Sequence, residues 1–335
     1  MQITRRVPAE WEEQRAVLLS FPHKYSDWSD DLNSVLSVFV RMAQAIAYKD
    51  AVYIVCDNAT EIKSLFCSTN NMSFIEIPTN DTWCRDYGVI SIVEDGMTKL
   101  LDFTFDGWGG KFKADLDNSV NIALFKKGYF GGTSLETIDL VLEGGSIESD
   151  GAGTILTTSE CLCNPNRNGG LSKDEVENKL KEHLGATRIL WLDHGYLAGD
   201  DTDSHIDTLA RFVNENTIAY VQCSDKNDEH YDELSKMEEQ LKTFKTVSGE
   251  SYTLAPLPMA SAIFDSNGNR LGATYANFLI TNHALLYPTY GIKEDSKAKE
   301  CFEALFPNLE IIPINCQRLI EQGGSLHCST MQIYK

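Results

Sequence analysis

Cysteine, histidine and acidic residues occur together in four short polar segments, two of which also carry paired glycines. The segments are Trp83-Cys84-Arg85-Asp86-Tyr87-Gly88, Glu143-Gly144-Gly145, Gly199-Asp200-Asp201-Thr202-Asp203-Ser204-His205-Ile206-Asp207 and Gly323-Gly324-Ser325-Leu326-His327-Cys328. A thiol, an imidazole and several carboxylates are the groups that thiol chemistry on a cation requires. In an extended segment His205 and Asp207 project to one face, so Asp207 can hold a planar cation while His205 handles protons. Glycines before Cys328 allow backbone and substrate to approach closely.

Each segment also has an interpretation without chemistry. Arg85 and Asp86 could form a structural ion pair, and Glu143 could precede a hairpin turn. His205 could be a hydrogen-bonded core histidine, and Cys328 a buried thiol. Taken singly these alternatives are favoured, but together the four segments indicate a site for one cationic substrate.

Metal binding is the main alternative chemistry for the same residues. Cys161 and Cys163 are separated by one residue instead of the two to four that are usual at structural zinc sites. Residues 200–207 lack the glycine and terminal glutamate of a calcium-binding loop. Gly107-Trp108-Gly109-Gly110 lacks the Lys-Ser/Thr ending of a phosphate-binding loop. We therefore expect neither a metal nor a cofactor.

The composition is that of an acidic globular protein. Among 335 residues, 29 are Lys or Arg and 49 are Asp or Glu, which gives a net charge of −20. Such a surface repels nucleic acids and acidic membranes and attracts cations. The sequence has neither a run of about 20 apolar residues nor a signal peptide. The nine cysteines are then expected to be reduced thiols, and the expected location is the cytoplasm.

Periodicity predicts an α/β protein in which strands alternate with single helices. The predicted helices are residues 31–48, 117–127, 172–184, 228–244 and 296–305. The predicted strands are residues 51–56, 73–77, 137–142, 154–158, 188–192, 217–222, 278–287 and 310–314. No linker divides the chain, which we expect to form one catalytic domain over residues 1–335. From the second helix onward the helices recur about every 60 residues, which is typical either of repeated supersecondary units or of an irregular α/β fold.

Several motifs, in order, extend this pattern over essentially the whole chain. They are Trp83-x-Arg85-Asp86-x-Gly88, Phe105-Asp106-Gly107-Trp108-Gly109-Gly110, Glu143-Gly144-Gly145, Leu156-Thr157-Thr158-x-x-Cys161-Leu162-x-Asn164-Pro165-Asn166-Arg167, Asp201-Thr202-Asp203-x-His205-x-Asp207, Asn277-Phe278 and Gly323-Gly324-x-x-His327-Cys328. In these the chain resembles the agmatine deiminases, which share a family with the Porphyromonas-type peptidylarginine deiminases in the guanidino-group-modifying (pentein) superfamily. The resemblance implies a five-bladed α/β propeller of ββαβ modules around a pseudo-fivefold axis, with the active site in the central channel.

Four positions depart from the family pattern without removing a reacting group. They are Val89, Ser204, Gln322 and Met331, where the family often has Pro, Gly, Gly and Gln, respectively. Ser204 and Gln322 are the two that we expect to alter loop shape.

The resemblance also implies a role for each site residue. Asp86 and Asp207 would bind the guanidinium group, and the Cys328 thiolate would attack its carbon. His205 would act as acid and then as base, releasing ammonia and activating water. Glu143 would pair with His205, orienting it and raising its pKa.

The remaining candidates concern the rest of the substrate. Trp83 would form an apolar wall for a methylene chain or a face for a cation, or would belong to the core. Asp201 and Asp203 would reach the distal amine or support the loop of His205. Arg85, next to Asp86 on an extended segment, should point away from the channel and leave no partner for an α-carboxylate.

The resemblance implies an enzyme that hydrolyses agmatine to N-carbamoylputrescine and ammonia through a covalent Cys328 thiouronium, a step of putrescine biosynthesis. Deimination of peptidyl-arginine to citrulline is the main alternative. Transfer of an amidino group and a non-catalytic binding protein are the others. The expected partner is a small cationic guanidino substrate, with no nucleic acid or membrane, and the resemblance implies a homo-oligomer.

Overall fold

The computed structural model of the protein describes residues 5–335. The strands are β1 (Arg5–Arg6), β2 (Gln14–Ser20), β3 (Val52–Cys56), β4 (Met72–Glu76), β5 (Ile90–Glu94), β6 (Met97–Thr104), β7 (Leu135–Val141), β8 (Ile147–Ser149), β9 (Thr154–Thr158), β10 (Arg188–Leu192), β11 (Ala210–Asn214), β12 (Thr217–Gln222), β13 (Thr253–Pro258), β14 (Leu279–Ile280), β15 (Ala284–Thr289), β16 (Glu310–Asn315) and β17 (Thr330–Tyr334). The helices are α1 (Leu32–Ala47), α2 (Ala59–Ser64), α3 (Cys84–Tyr87), α4 (Gly107–Gly110), α5 (Val120–Lys126), α6 (Ser159–Leu162), α7 (Lys173–Leu184), α8 (Tyr231–Thr243) and α9 (Glu294–Leu305). Short 3-10 helices span Ser29–Asp31, Asp117–Ser119, Gly144–Ser146, Ile206–Thr208 and Leu319–Gln322.

Five sheets repeat one connection: an antiparallel strand pair, a helix, and a third strand that is parallel to the second. The orders are β17-β2-β3-β4, β1-β5-β6-β7, β8-β9-β10, β11-β12-β13 and β14-β15-β16. The helices that precede the parallel strands are α1, α5, α7, α8 and α9, respectively. The first unit combines strands from both ends of the described chain. β17, near the C-terminal end, pairs with β2, near the N-terminal end, and the pairing begins with Thr330 opposite Leu19. The α/β fold of repeated units is confirmed, and the described residues contain five of them.

All five helices predicted from periodicity are present. The helix predicted over 172–184 has the capping box that its sequence indicates, in which Ser172 and Glu175 satisfy each other's backbone N–H groups. It ends at Gly185, whose φ of 69° is the left-handed conformation that favours glycine. The described residues include no helix that is long and apolar enough to cross a bilayer.

One predicted strand is wrong in its extent. The run predicted over 278–287 is a hairpin, β14 and β15, because polar residues interrupt it. The Thr281 hydroxyl accepts hydrogen bonds from the N–H groups of His283 and Ala284, at 3.4 and 3.1 Å, and this closes a tight turn. The prediction also omits strands that are buried on both faces, such as β2 and β17, which lack the alternation on which a periodicity argument depends.

The repeat places functional candidates at equivalent positions. Each unit begins with β5, β8, β11, β14 or β17, and a polar side chain lies within five residues before each of these strands. The side chains are Asp86 before β5, Glu143 before β8, His205 and Asp207 before β11, Asn277 before β14, and His327 and Cys328 before β17. The short helix α3 and the 3-10 helices Gly144–Ser146 and Ile206–Thr208 are in contact, so these segments meet at one place.

Candidate active site

Cys328 is a buried thiol among polar groups. The amide nitrogen of Asn277 lies 3.3 Å from its Sγ, and Asp207 Oδ2 lies 3.8 Å away. Asn277 Oδ1 also accepts the backbone N–H groups of His327 and Cys328, at 2.8 and 3.3 Å, and so fixes this segment. Burial, with the negative charges of Asp207 and Asp86 nearby, raises the pKa of the Cys328 thiol well above its ordinary value. The free protein therefore holds a protonated thiol.

Asp86 is a buried carboxylate that neutral donors orient. The Gly145 N–H donates to its Oδ1 and the Trp108 indole N–H to its Oδ2, both at 2.9 Å. Burial, followed by repulsion from Asp207 and Glu143, raises the pKa of Asp86 well above its ordinary value. Gly145 is required at this point because a Cβ atom there would lie 2.7 Å from Asp86 Oδ1.

Asp207 is fully buried but has the opposite electrostatic environment. Its Oδ2 lies 2.8 Å from His327 Nδ1, and its Oδ1 has no hydrogen-bond partner among residues 5–335. Burial would raise the pKa of Asp207, but the hydrogen bond from His327 and the positive charge of nearby Arg211 outweigh it, so the pKa is lowered. The site therefore offers one ionised carboxylate with a free oxygen beside a second that binds a proton readily.

The contact between Glu143 and His205 differs from the expectation. Arg167 Nε donates to Glu143 Oε1 at 2.7 Å, and Glu143 Oε2 is buried without a partner. A carboxylate oxygen of Glu143 lies within 4.8 Å of a His205 ring nitrogen, yet neither ring nitrogen has a hydrogen-bond partner among the described residues. Burial lowers the pKa of His205 to about 3. The expected increase in its pKa is therefore wrong for the free protein, because desolvation outweighs the attraction of nearby carboxylates.

A cleft of about 290 Å³ leads to Cys328. Its lining is formed by Asp27, Asp81, Trp83, Asp86, Trp108, Phe112, Asp201, Thr202, Gln322, Gly323, Gly324 and Cys328. Four of these residues are acidic and none is Lys or Arg. The Trp83 ring packs closely on Gly324, where an added Cβ atom would lie 2.4 Å from the ring. It also packs against Trp28, with 5.9 Å between the ring centroids. Trp83 is thus both core and cleft wall.

The two aspartates predicted near the distal amine separate in the structure. Asp201 lines the cleft and is exposed. Asp203 does not line it, because its carboxylate is bound by Arg167 at 2.6 Å and by Lys111 at 2.7 Å. The contacts of Asp203 therefore favour the alternative, support of the His205 loop, and its contact with the substrate amine stays a prediction.

Arg85 points away from the cleft, as predicted, although Cys84–Tyr87 form the short helix α3 and not the extended segment on which that prediction depended. Its guanidinium donates to Gln332 Oε1 at 2.5 Å and contacts Met331 Sδ at 3.3 Å. Its ion pair with Asp86, which was the alternative, is absent from the hydrogen bonds and salt bridges of residues 5–335.

The two departures expected to alter loop shape have different effects. Ser204 takes a φ of 64°, the left-handed conformation that the more common glycine would adopt without strain. Ser204 therefore adopts this conformation at some cost in backbone energy. Gln322 lines the cleft and donates to the carbonyl of Asp27 at 2.8 Å, so its side chain ties two cleft segments together.

Sequence reasoning assigned no role to four residues that hold the site. Asn277, His327, Arg167 and Trp108 all lie in the motifs, and each makes a buried contact with a candidate residue. The signal that could have found Asn277 is the repeat itself, because Asn277 precedes the first strand of its unit as the other candidates precede theirs. The partners of Arg167 and Trp108 could not be identified without coordinates.

Two groups of described residues have metal-ligating side chains close together. They are Glu143 with Cys161 and His205, and Glu10 with Glu148 and His327. An arginine already contacts each group, Arg167 at Glu143 and Arg211 at Glu10 and Glu148. A guanidinium in each cluster compensates the carboxylate charge that a metal would otherwise compensate.

Comparison with known proteins gives a consistent relationship over the whole chain. Residues 6–333 match the family model of the Porphyromonas-type peptidyl-arginine deiminases. A solved structure provisionally named as a peptidyl-arginine deiminase is 47% identical with a TM-score of 0.96, over 100% of both chains. The structure of a cysteine-to-serine variant of C. jejuni agmatine deiminase with substrate bound is 41% identical with a TM-score of 0.93, over 99% of this chain and 96% of that one.

A curated relative from Marinomonas sp. (strain MWYL1), provisionally named as an agmatine deiminase, is 33% identical over 98% of this chain and 94% of its own length. The motifs, the fold and the family model agree along the chain. The protein belongs to the Porphyromonas-type peptidyl-arginine deiminase family.

Proposed function

We propose that the protein is an agmatine deiminase, which hydrolyses agmatine to N-carbamoylputrescine and ammonia. The observation that carries this proposal is the charge of the cleft. It ends at a thiol and a carboxylate, it is also lined by Asp27, Asp81 and Asp201, and none of its lining residues is Lys or Arg. A ligand with a cation at each end matches this distribution.

The guanidinium group would bind between Asp86 and Asp207. Asp207 Oδ1 has no protein partner, and each oxygen of Asp86 accepts one neutral donor and keeps a further lone pair. Carboxylates bind the N–H groups of a guanidinium strongly and in a fixed plane. The bound cation would compensate the buried negative charge and favour ionisation of Asp86.

The same cation would activate Cys328. Its thiol pKa is raised by burial and by two carboxylates, and a bound guanidinium removes much of that repulsion. His205 is neutral in the free protein and both ring nitrogens are unpartnered, so it can accept the thiol proton. The thiolate then forms a C–S bond to the guanidinium carbon, giving a tetrahedral adduct.

Protonated His205 would next deliver its proton to one nitrogen of the adduct. The C–N bond breaks, ammonia leaves, and an S-alkylthiouronium on Cys328 remains. Neutral His205 then takes a proton from water, whose oxygen attacks the same carbon. Collapse of this adduct breaks the C–S bond: its hydroxyl proton passes to the departing sulfur, which restores the Cys328 thiol, and N-carbamoylputrescine is released. His205 gives the proton taken from water to ammonia or solvent and is neutral again. A residue that alternates between acid and base needs a pKa near the working pH, and ionisation of Asp86, whose Oδ1 lies 3.6 Å from His205 Nδ1, would raise the pKa of His205 from its low value in the free protein.

Peptidyl-arginine is the second candidate, and the name of the relative that is 47% identical favours it. The cleft argues for the smaller diamine. An arginine residue presents a neutral backbone where agmatine has an ammonium group, so it would leave the acidic mouth unpaired. Free arginine adds a carboxylate that has no cationic partner among the lining residues.

Ammonia release from agmatine, free arginine and a peptidyl-arginine substrate, measured in parallel, tests the proposal. We expect kcat/KM for agmatine to exceed that for free arginine by at least about a hundredfold, equal to roughly 2.7 kcal/mol. Comparable values for agmatine and arginine would show that the cleft pairs a carboxylate. A higher value for peptidyl-arginine would replace agmatine by the alternative.

We also propose that residues 1–335 form one catalytic domain that acts in the cytoplasm without metal, cofactor, nucleic acid or membrane. The net charge of −20 supports the absence of nucleic acid. The family resemblance supports a homo-oligomer.

A further inference from the structure

A second buried polar cluster lies behind Asp207 and Cys328, on the side away from the cleft. It consists of Glu10, Glu148, Arg211 and His327, all of which are buried. His327 Nδ1 lies 2.8 Å from Asp207 Oδ2, and its Nε2 lies 3.0 Å from Arg211 Nη2. His327 is therefore the bridge between this cluster and a candidate guanidinium ligand.

Each of the five N–H groups of Arg211 is directed at a neighbouring acceptor. Nε–H donates to Glu148, and the two hydrogens of Nη1 donate to the carbonyls of Ala276 and Phe278, at 3.1 and 2.7 Å. One hydrogen of Nη2 donates to Glu10 Oε2. The one that remains is directed at His327 Nε2. Glu10 Oε2 lies 3.2 Å from the same Nε2, so a proton there would be directed at Glu10. The contact with Arg211 is the shorter of the two, and because an arginine has no acceptor atom it requires a lone pair on Nε2.

A lone pair on Nε2 determines where the proton of His327 lies. A neutral imidazole with an acceptor at Nε2 carries its hydrogen on Nδ1. That hydrogen can only be donated to Asp207 Oδ2, 2.8 Å away. A second proton on Nε2 would face the Arg211 guanidinium, and burial and the charges of Arg211 and Arg85 lower the pKa of His327.

We propose that Arg211 and His327 are positioning residues: Arg211 holds His327 as the Nδ1–H tautomer, and His327 thereby fixes Asp207 Oδ2 and leaves Oδ1 for the substrate guanidinium. The two carboxylates of the site then differ in the groups that hold them. Neutral donors hold Asp86, whereas a histidine backed by an arginine holds Asp207. The activity arms of the test rest on the proposed deiminase function, and the tautomer arm does not.

The charged and titratable groups around Asp207 come from several elements. They are His205 in its own loop, Arg211 on β11, Asp86 on α3, and His327 and Cys328 before β17. Of these, His327 donates the shorter hydrogen bond to the Asp207 carboxylate, at 2.8 Å, and the Cys328 thiol lies 3.8 Å from the same oxygen. Loss of that donor should therefore raise the pKa of Asp207, since burial and the neighbouring Asp86 both act in that direction.

The tautomer can be observed directly by 15N NMR of the full-length protein labelled at the histidine rings. Seven histidines give signals, and the set that is lost in His327→Asn belongs to His327. We expect a protonated Nδ1 and an unprotonated Nε2 near neutral pH. A proton on Nε2, or on both nitrogens, would overturn the proposal whether or not the protein deiminates agmatine.

Two amide substitutions then separate the functions of the two ring nitrogens. His327→Asn keeps a donor near Asp207 and loses the acceptor for Arg211, whereas His327→Gln keeps an acceptor near Arg211 and loses the donor. We expect kcat/KM for agmatine to fall at least about a hundredfold in His327→Gln and less than about tenfold in His327→Asn. Both variants are first compared with wild type by circular dichroism and thermal unfolding.

The pH profile distinguishes positioning from simple packing. Asp207 must be ionised to bind the cation, so a raised pKa moves the acid limb of kcat/KM to higher pH. We expect a shift of at least about one pH unit in His327→Gln and none in His327→Asn. Equal losses with unshifted profiles would mean that His327 only fills space. If His327→Gln does not fold, the NMR tautomer and the profile of His327→Asn decide the matter.

Discussion

Two acid-rich regions lie on opposite sides of the Cys328 segment, and they treat buried charge differently. Behind it, Glu10 and Glu148 both bind the guanidinium of Arg211. Burial would raise the pKa of Glu10, but the charge of Arg211 outweighs it and lowers the pKa, whereas burial raises the pKa of Glu148 to about 7. In front of it, Asp86 has no arginine or lysine partner among the described residues, and burial and two other carboxylates raise its pKa.

The difference indicates what each region is for. Two buried carboxylates that share an internal guanidinium have much of their charge compensated within the protein, so they need no ligand cation, and removal of one partner destabilises the fold. A buried carboxylate without such a partner is unfavourable in the free protein and is relieved when a cation arrives. The rear cluster consists of Glu10, Glu148, Arg211 and His327 and contains its own guanidinium. The front cluster consists of Asp86, His205, Asp207 and Cys328 and is arranged to receive a guanidinium from the substrate.

Removal of the nucleophile should have the largest effect. In Cys328→Ser we expect turnover of agmatine to fall by a factor on the order of 10⁴ or more, because a hydroxyl is far less acidic than a thiol. Binding of agmatine should persist, since both carboxylates remain. Ammonia release and calorimetric titration check the two statements. Substantial turnover in this variant would refute the covalent mechanism, and lost binding would mean that the thiol also shapes the front cluster.

Neutralising one carboxylate of the rear cluster should mainly weaken the fold. Glu10→Gln removes the ion pair with Arg211 and leaves a buried guanidinium partly unpaired, which costs about 3–5 kcal/mol of unfolding free energy. The pKa of Glu10 is lowered, so its contribution exists above the unfolded-state pKa and is lost as pH falls. Chemical denaturation near pH 7 and near pH 4 should show the smaller difference at the lower pH. The matched control is Glu13→Gln, whose exposed partner Lys335 implies less than about 1 kcal/mol.

The pH dependence of agmatine binding tests the front cluster. The pKa of Asp86 is raised, so the free site holds a proton that the cation must displace, and binding should weaken as pH falls, by up to about tenfold per pH unit. Calorimetry with Cys328→Ser avoids turnover, and buffers with different ionisation enthalpies count the protons released. Asp81 also lines the cleft and has a pKa raised to about 6 by burial. Repeating the titration with Asp81→Asn shows how many of the released protons come from Asp81. A pH-independent affinity with no proton release would contradict the expected protonation of Asp86.

The two regions differ in how much of them could be predicted from the sequence. The front cluster carries its chemistry in motif residues, so Asp86, His205, Asp207 and Cys328 were identifiable, and the structure brings them together. The rear cluster was not identifiable, because Glu10 and Arg211 are 201 residues apart and neither lies in one of the four polar segments with which the sequence analysis begins. Pairings across the repeat depend on how the units close, which local periodicity does not encode. The pKa of His205 was mispredicted for a related reason: desolvation depends on burial by distant segments.

The smallest effect concerns the mouth of the cleft. Asp201 lines the cleft but is exposed, so its attraction to the distal ammonium of agmatine is screened and worth about 0.2–1 kcal/mol. Asp201→Asn should therefore raise KM for agmatine by less than about fivefold and leave kcat unchanged. Asp139→Asn is the control, since Asp139 is equally exposed but does not line the cleft, and its KM should stay at the wild-type value. Added salt should reduce the difference between the two variants, because exposed charges are screened within about 10 Å at 0.1 M ionic strength. A loss of kcat in Asp201→Asn would instead place this residue near the reacting carbon, and the division between a buried front cluster and an exposed mouth would then be wrong.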